Sequence, residues 1–274
     1  MCNAKIANTL FVSDLDGTLL NANQRISNFS RETLNRLIDV GLHFTYATAR
    51  SLTSAKEVTE GLNLKMPVIV YNGAFVQDAE SGRTVTSKQF LAGEASDILA
   101  LFFLHDVYPR VYALHDGVER FAYLADYASV GTVAYLAKRS HDKRANPTSE
   151  DKLLCGDVFC FSVIDEYNKL LPLYEALRYR YHAILYRDPY TNDYWLEILP
   201  KYATKADAVT ELKKMYDFDR VVVFGDEKND LSMFEIADDC FAVANANDEV
   251  KRVASGVIAS HDCDGVAKYL LSLV

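Results

Sequence analysis

Residues 9–18, TLFVSDLDGT, place two carboxylates directly after a short apolar run. The run at the start of this stretch predicts a buried β-strand, and Gly17 permits the sharp turn that follows it. Carboxylates beside a buried strand are costly unless a cation or hydrogen bonds hold them. A D-x-D-G sequence also occurs in simple turns, so it is the preceding strand that favours a functional site at Asp14 and Asp16.

Outward from this stretch, short apolar strands alternate with helical patterns. Such alternation predicts a doubly wound α/β core with a parallel sheet. Ligands bind beyond the C-terminal ends of the strands in these sheets, and Asp14, Thr48 and Asn72 each follow a predicted strand. Besides Thr9–Val12, strands are predicted at His43–Ala47, Val68–Tyr71, Val221–Phe224, Cys240–Val243 and Gly256–Ile258, and helices around Leu34–Ile38, at Leu52–Leu62 and at Gly265–Leu273.

The middle of the chain has longer, more aromatic strands in which apolar and polar residues alternate. Val111–Leu114 and Arg120–Leu124 flank an Asp116–Gly117 turn, which is typical of a β-hairpin. Most of the 17 tyrosines lie in this region, which suits a surface that covers a ligand. Further strands are predicted at Val158–Ile164 and Ala183–Tyr186, and a helix at Tyr167–Tyr181.

These two patterns predict two domains, one interrupting the other. Residues 1–83 and 200–274 form the parallel-sheet core, and residues 84–199 form an inserted α+β module built on an antiparallel sheet. The insertion separates the polar sites near the start of the core from those near its end.

Three further polar sites lie at predicted element ends. Thr48 and the backbone N–H groups before Arg50 could cradle an anion, although Thr48 equally suits a helix cap. Lys205 stands near a helix start, where the helix dipole gives a lysine no advantage; this indicates a function, although a solvated lysine is the commoner case. Asp226 and Asp230 follow a buried strand at a spacing that suits a hard cation or an acidic helix start.

The composition of the chain argues against nucleic-acid binding, a membrane span and a paired-cysteine site. Of 274 residues, half are hydrophobic, and 38 acidic against 29 basic side chains give a net charge of −9. An acidic chain is a poor general binder of nucleic acid or of anionic membranes. No apolar run approaches the ~18 residues of a membrane span, and the five cysteines form no C-x-x-C pair. We therefore expect a soluble, cytoplasmic protein that does not act on nucleic acid or on membranes.

In this order, the four polar sites resemble the haloacid dehalogenase (HAD) superfamily of phosphatases, and within it the Cof-like, type IIB branch. The resemblance runs from one end of the chain to the other. Three glycines of the family pattern are alanine here (Ala49, Ala206 and Ala244), which predicts a tighter or stiffer site. The matching segments are Asp14–Thr18, Thr48–Arg50, Asn72–Ala74, Thr204–Ala206, Gly225–Asp230, Ala242–Ala246 and Asp264–Ala267.

The resemblance implies a Rossmann-like HAD core with an inserted cap domain of the C2B type. It implies a Mg²⁺-dependent phosphatase that hydrolyses small phosphorylated metabolites, with sugar phosphates as the family expectation. Asp14 would be the nucleophile that forms an aspartyl-phosphate, and Asp16 the general acid and base. Mg²⁺ would bind the carboxylates of Asp14 and Asp226 and the backbone carbonyl of Asp16, with Asp230 in support.

The resemblance also implies a set of phosphate-binding residues. Thr48, Lys205 and Asn229 would hold the phosphoryl oxygens, and Thr48 and Lys205 would stabilise the transition state. Ala49, Arg50 and Asn72 would line the same site. The cap would close over the site and select the leaving group.

Alternatives to hydrolysis stay open from sequence. A phosphomutase or phosphotransferase would use the same aspartyl-phosphate but pass it to another hydroxyl. A response-regulator receiver also combines acids, a hydroxyl and a lysine, but it is shorter and has no cap. A catalytically inactive regulator that binds a phosphometabolite would gain little from keeping Asp14, Asp16, Lys205 and Asp226 together. Pyridoxal phosphate and nucleotides are further candidate substrates, and the oligomeric state has no signal in the sequence.

Overall fold

The computed structural model describes residues 8–188 and 191–274, which divide into two compact units. The core unit comprises the described residues up to Ser87 together with Ala203–Val274, and the inserted unit comprises Lys88–Tyr202. Cys2 lies outside the described residues. No described helix is long and apolar enough to cross a bilayer.

The helices and strands follow in chain order. The first segment of the core unit contains β1 (Thr9–Ser13), α1 (Asn28–Asp39), β2 (His43–Tyr46), α2 (Leu52–Val58), β3 (Val68–Val70), β4 (Phe75–Gln77) and β5 (Thr84–Ser87). The inserted unit contains α3 (Ala92–Leu104), β6 (Arg110–His115), β7 (Val118–Tyr123), α4 (Val130–Ala137), β8 (Ala145–Pro147), β9 (Asp157–Asp165), α5 (Tyr167–Leu177), β10 (His182–Arg187) and β11 (Tyr194–Leu199). The second core segment contains α6 (Lys205–Met215), β12 (Arg220–Gly225), α7 (Leu231–Ile236), β13 (Asp239–Val243), α8 (Asp248–Val253), β14 (Gly256–Ile258) and α9 (Gly265–Leu271).

The main sheet of the core unit is parallel, with strand order β14-β13-β12-β1-β2. Every residue of β1 is buried, as expected for a strand that has a neighbour on each side and apolar packing on both faces. This confirms the predicted α/β fold with a parallel sheet. Because β1 and β12 are adjacent and parallel, the residues that follow them meet at one edge of the sheet.

Three predicted elements differ from those in the structure, in pairing or in length. The helix predicted at Tyr167–Tyr181 ends at Leu177. The strand at Val68–Val70 (β3) pairs antiparallel with β4 in a separate three-stranded sheet, and only a single bridge, Ala47 to Ile69, joins it to the end of β2. Helix α2 stops at Val58 rather than Leu62. The hydroxyl of Thr59 donates back to a carbonyl of the last helical turn, and the chain then bends away.

The inserted unit is built on a six-stranded, mostly antiparallel sheet with order β10-β11-β9-β6-β7-β8. Helices α3 and α5 cover one face, where residues such as Phe102, Phe161 and Leu173 form a continuous apolar cluster. The hairpin around Asp116–Gly117 is confirmed as β6–β7. Helices α3 and α4 were not predicted, and in α3 the apolar run ILALFFL masks the helical period.

The turn Tyr71–Gly73 fixes the start of α6. Its residues have φ values of 50°, 52° and 99°, a left-handed path that favours glycine at the third position. A Cβ on Gly73 would collide with the backbone carbonyl of Thr204, which caps α6 through its side chain. The close approach of these two backbones sets where Lys205, the first residue of α6, lies in the core unit.

We predict that Gly73→Ala lowers the midpoint of thermal unfolding by about 4–8 °C more than Gly41→Ala. Both glycines are left-handed, at φ 99° and 104°, but nothing lies within 4 Å of a Cβ at Gly41. The backbone collision at Gly73 should cost on the order of 2 kcal/mol beyond the shared strain. Equal midpoints for the two variants would show that the Gly73–Thr204 contact does not constrain the fold.

Candidate active site

The ends of β1 and β12 bring two predicted site residues together. Asp14 follows β1 and Asp226 follows β12, and the backbone N–H of Asp14 donates to the carbonyl of Phe224 at 2.9 Å. Both carboxylates are buried. The two acids therefore lie at the C-terminal edge of the parallel sheet, where ligands bind in folds of this type.

Three carboxylates and one ammonium form a buried cluster. One carboxylate oxygen from each of Asp14, Asp226 and Asp230 lies within 4.8 Å of the others. The ammonium of Lys205 donates to Asp14 Oδ1 and to Asp230 Oδ1, each at 2.7 Å. Lys205 is 1% exposed. The predicted residues Asp14, Lys205, Asp226 and Asp230 thus form one contiguous group.

Burial of this group shifts its protonation equilibria. Burial and the Asp230 charge raise the pKa of Asp14 well above its usual range, and Lys205 opposes them. Burial and Asp230 raise the pKa of Asp226 from 3.8 to about 7, against hydrogen bonding from Thr18. Burial acts to lower the pKa of Lys205, but the two carboxylates outweigh it and the pKa rises. Lys205 is therefore a permanent cation at neutral pH.

Two side chains fix the orientation of the acids. Asp230 Oδ2 accepts the backbone N–H of Asp226 at 2.9 Å and that of Glu227 at 3.2 Å, so its other oxygen is left for Lys205. The hydroxyl of Thr18 donates to Asp226 Oδ1 at 2.6 Å. A Cβ at Gly17, which has φ 73°, would overlap the Asp226 carboxylate. Gly17 and Thr18 of the opening motif therefore pack directly on Asp226–Asp230, the second acidic loop.

Asp16 lies outside the three-carboxylate cluster and pairs with Arg50. The guanidinium Nε donates to Asp16 Oδ2 at 2.7 Å, and Nη2 donates to Oδ1 at 2.6 Å. Nη1 and Nη2 also reach Ser54 Oγ at 3.1 Å and Gln24 Oε1 at 3.2 Å. A two-pronged pair with further anchoring holds the Asp16 carboxylate in one orientation. A metal role for Asp16 could therefore come only from its backbone carbonyl, as the family resemblance implies.

The remaining predicted residues lie in neighbouring turns. Thr48 is buried after β2, and its hydroxyl accepts the backbone N–H of Arg50 at 3.1 Å. The backbone N–H of Asn72 donates to the Thr48 carbonyl at 2.9 Å. Asn229 lies in the turn between Asp226 and Asp230. Phosphate binding by Thr48, Ala49, Asn72 and Asn229 stays a prediction.

Sequence reasoning gave no role to two residues that support the site. Asn245 donates from Nδ2 to the Gly17 carbonyl at 2.8 Å and accepts the His261 backbone N–H at 3.0 Å. It lies in the family-like segment Ala242–Ala246, so that segment already carried a signal. Gln24, which anchors Arg50, lies in a turn-rich stretch that carried none.

The chemistry of the cluster fits a divalent cation. All three side chains offer oxygen ligands, the preference of hard cations such as Mg²⁺ and Ca²⁺. When all three are ionised, Lys205 leaves two negative charges unbalanced in a buried place. A doubly charged ion bound by Asp14, Asp226 and Asp230 would remove that imbalance.

We predict that Asp226→Asn stabilises the metal-free protein more at pH 8 than at pH 5. The folded state holds the Asp226 proton more tightly than the unfolded state, so wild-type stability falls as pH rises from about 4 to 7. An amide cannot ionise and escapes this penalty. The extra gain at pH 8 should be on the order of 2 kcal/mol, or about 4–8 °C in thermal midpoint, in the presence of a chelator.

The matched control is Asp239→Asn. Asp239 is an acid of β13 that is partly exposed and pairs with Arg220 at 2.5 Å, so it should show no gain at pH 8. A gain for Asp226→Asn of equal size at both pH values would contradict the raised pKa of Asp226.

Comparison with known proteins places this geometry in a family. Residues 11–270 match the family described as haloacid dehalogenase-like hydrolase. Two Bacillus subtilis relatives are each named 5-amino-6-(5-phospho-D-ribitylamino)uracil phosphatase. YwtE is 29% identical and YitU is 28% identical, and each alignment covers 95% of this chain and 96% of the relative.

A solved structure agrees with the sequence comparison. A haloacid dehalogenase-like hydrolase from Bacteroides thetaiotaomicron superposes with a TM-score of 0.76 at 25% identity, covering 97% of this chain and 99% of that one. The match therefore includes the inserted unit as well as the core unit. This chain belongs to the haloacid dehalogenase-like hydrolase family and is a phosphatase of its Cof-like branch.

Proposed function

We propose that this protein is a Mg²⁺-dependent phosphatase that cleaves a small phosphorylated metabolite through a phosphorylated Asp14. The observation that carries the proposal is the buried contact of 2.7 Å between Lys205 Nζ and Asp14 Oδ1 inside a cluster of three carboxylates. A carboxylate that is buried and held in place by a cation is suited to act as a nucleophile.

Asp14 is the attacking group. One of its carboxylate oxygens forms a bond to phosphorus as the bond between phosphorus and the ester oxygen breaks. Lys205 contacts the same carboxylate and would bind a phosphoryl oxygen, which would reduce the repulsion between two anions. Thr48 and Asn229 complete the proposed set of phosphoryl ligands.

Asp16 transfers protons in both halves of the reaction. It gives a proton to the leaving alcohol oxygen in the first half. In the second half it takes a proton from the water that attacks phosphorus, and the bond between Asp14 and phosphorus breaks to release inorganic phosphate. Both oxygens of the ionised Asp16 accept from Arg50, so one of the two hydrogen bonds has to open when Asp16 carries the proton. The other still holds the carboxyl in place, which makes Arg50 a positioning residue for this step.

Asp14, Asp226, Asp230 and the backbone carbonyl of Asp16 are the groups that would hold Mg²⁺. Bound there, the ion would neutralise the acids so that an anionic substrate can approach. The raised pKa values of Asp14 and Asp226 support this assignment, because they report negative charge that the described side chains leave uncompensated.

For the substrate, we propose a phosphate ester on a sugar or sugar-alcohol chain. Two relatives are named for a substrate in which the phosphate sits on a ribityl chain that carries a uracil ring. The core unit supplies every residue assigned above to phosphoryl transfer. We assign the choice of leaving group to the inserted unit, Lys88–Tyr202, as its cap.

We predict that Asp14→Asn lowers kcat by at least roughly 10³-fold while the thermal midpoint stays near that of wild type. An amide is a poor nucleophile and a poor metal ligand. The measurement is release of inorganic phosphate from 5-amino-6-(5-phospho-D-ribitylamino)uracil and from hexose phosphates, with Mg²⁺, with Ca²⁺ and with a chelator.

Asp39→Asn is the matched control, because Asp39 is exposed at the end of α1 and pairs only with Lys65 among the contacts described. Its activity should equal that of wild type. Full activity in chelator would rule out the metal, and substantial activity in Asp14→Asn would rule out the aspartyl-phosphate. Transfer of phosphate to another hydroxyl, without release, would indicate a phosphotransferase instead.

We predict that Arg50→Lys slows cleavage of alkyl phosphates by roughly 10- to 100-fold but slows cleavage of nitrophenyl phosphate far less. Lysine keeps the charge but cannot form the two-pronged pair that orients Asp16. An alkoxide needs a proton in order to leave, whereas nitrophenolate does not. Equal losses on both substrates would show that Arg50 does not act through proton donation by Asp16.

A further inference from the structure

The inserted unit contains a polar row on the sheet face opposite α3 and α5. Arg110 on β6 pairs in register with Ser162 on β9, which pairs with Glu197 on β11. Alternation along the strands puts these three side chains on one face, while Val111 and Val163 point into the apolar cluster on the other. Apolar residues would fit these positions, but two of the three side chains, Arg110 and Glu197, can carry a charge.

Arg110 is enclosed by aromatic rings. It is 0% exposed, and its guanidinium carbon lies 3.9 Å from the ring centre of Tyr135, 5.0 Å from that of Trp195 and 5.9 Å from that of Tyr112. Nη2 donates to Ser162 Oγ at 2.9 Å. The stacked faces stabilise the positive charge but accept few of its N–H bonds.

Three buried donors of this group have no hydrogen-bond partner within residues 8–188 and 191–274. They are Nε and Nη1 of Arg110 and Nε1 of Trp195. Buried N–H groups in native proteins are nearly always paired, and an unpaired one on a charged side chain is especially costly. The donors therefore call for oxygen acceptors from outside the described chain.

Glu197 adds a group that can both accept and donate. Burial raises its pKa to about 7, with Arg110 opposing the shift. A carboxyl whose pKa is raised can donate a hydrogen bond to a ring carbonyl as well as accept one from a ring N–H. The row therefore has hydrogen-bond donors at Arg110 and a carboxyl that can donate or accept at Glu197. Aromatic ring faces lie beside it.

We propose that Arg110, Trp195 and Glu197 bind a planar nitrogen heterocycle with ring carbonyl groups, as the organic part of the substrate. Carbonyl oxygens would accept the three unpaired donors, and the ring would stack on the aromatic side chains. This inference rests on the proposed function, because it names the leaving group of the phosphate ester. A bare sugar phosphate has no flat ring that could stack on these aromatic side chains.

The ring of Tyr135 lies against Arg110, with its centre 3.9 Å from the guanidinium carbon. It lies on α4, an eight-residue helix in which only Thr132 is buried. A helix with so little buried surface moves at low cost. A ligand ring can therefore take the place of the Tyr135 ring beside the guanidinium, or stack against it, without disturbing the apolar cluster under α3 and α5.

The test measures binding of 5-amino-6-(D-ribitylamino)uracil, which has the ring but no phosphate, by calorimetry. Arg110→Met should weaken its binding by roughly 10- to 100-fold. Arg139→Met is the matched control: Arg139 stacks on the same Tyr135 ring at 4.1 Å but is exposed, so binding should equal that of wild type. Arg110→Lys keeps the charge without the fork of donors, and it serves as the second variant if Arg110→Met does not fold.

A kinetic arm separates this inference from the proposed function. The ratio of kcat/KM for 5-amino-6-(5-phospho-D-ribitylamino)uracil to that for D-ribitol 5-phosphate should fall by roughly 10- to 100-fold in Arg110→Met. An absence of Mg²⁺-dependent phosphate release would overturn the proposed function, whereas ring binding needs no turnover. No ring binding by wild type, or equal binding by Arg110→Met, would mean that only water meets these donors and would overturn the inference.

Discussion

The buried ammonium of Lys205 is the constraint on which the rest of the core unit depends. Asp14 and Asp230 could not lie side by side in an apolar interior unless a cation stood between them. Lys205 contacts both at 2.7 Å and is itself almost fully enclosed. Removing the ammonium would leave both carboxylates buried without a cation, so the cluster depends on Lys205.

Three separate chain segments meet around this cation: the end of β1, the end of β12 and the start of α6. Parallel pairing of β1 and β12 brings Asp14 beside the second acidic loop, and this pairing follows from two apolar strands far apart in sequence. The ammonium comes from the first residue of α6, just after the chain returns from the inserted unit. Contact between Gly73 and Thr204 sets that helix start. An insertion of over a hundred residues is tolerated because both of its ends are tied to this contact region of the core unit.

The sequence was most informative for polar residues that lie directly at the end of a strand or the start of a helix. Asp14, Lys205 and Asp226 could be predicted because strand ends and helix starts restrict where side chains meet. The Arg50–Asp16 pair could not, because side-chain pairing across two loops leaves no periodic signal. The row at Arg110 was also missed, because the predicted strand Val111–Leu114 begins after Arg110 and the sequence carries no sign that this arginine is fully buried.

The two buried cations of this protein differ in how their hydrogen bonds are met, and the difference indicates a division of work. Lys205 finds two carboxylates in its own chain, so the ammonium at the proposed centre for phosphoryl transfer needs no organic ligand as a partner. Arg110 finds one hydroxyl and several ring faces, and two of its nitrogens have no partner among the described residues. A site that contacts only the phosphoryl group cannot distinguish one phosphate ester from another, because all of them share that group. An incomplete site gains free energy only from a ligand that supplies the missing acceptors, so selectivity should arise in the inserted unit.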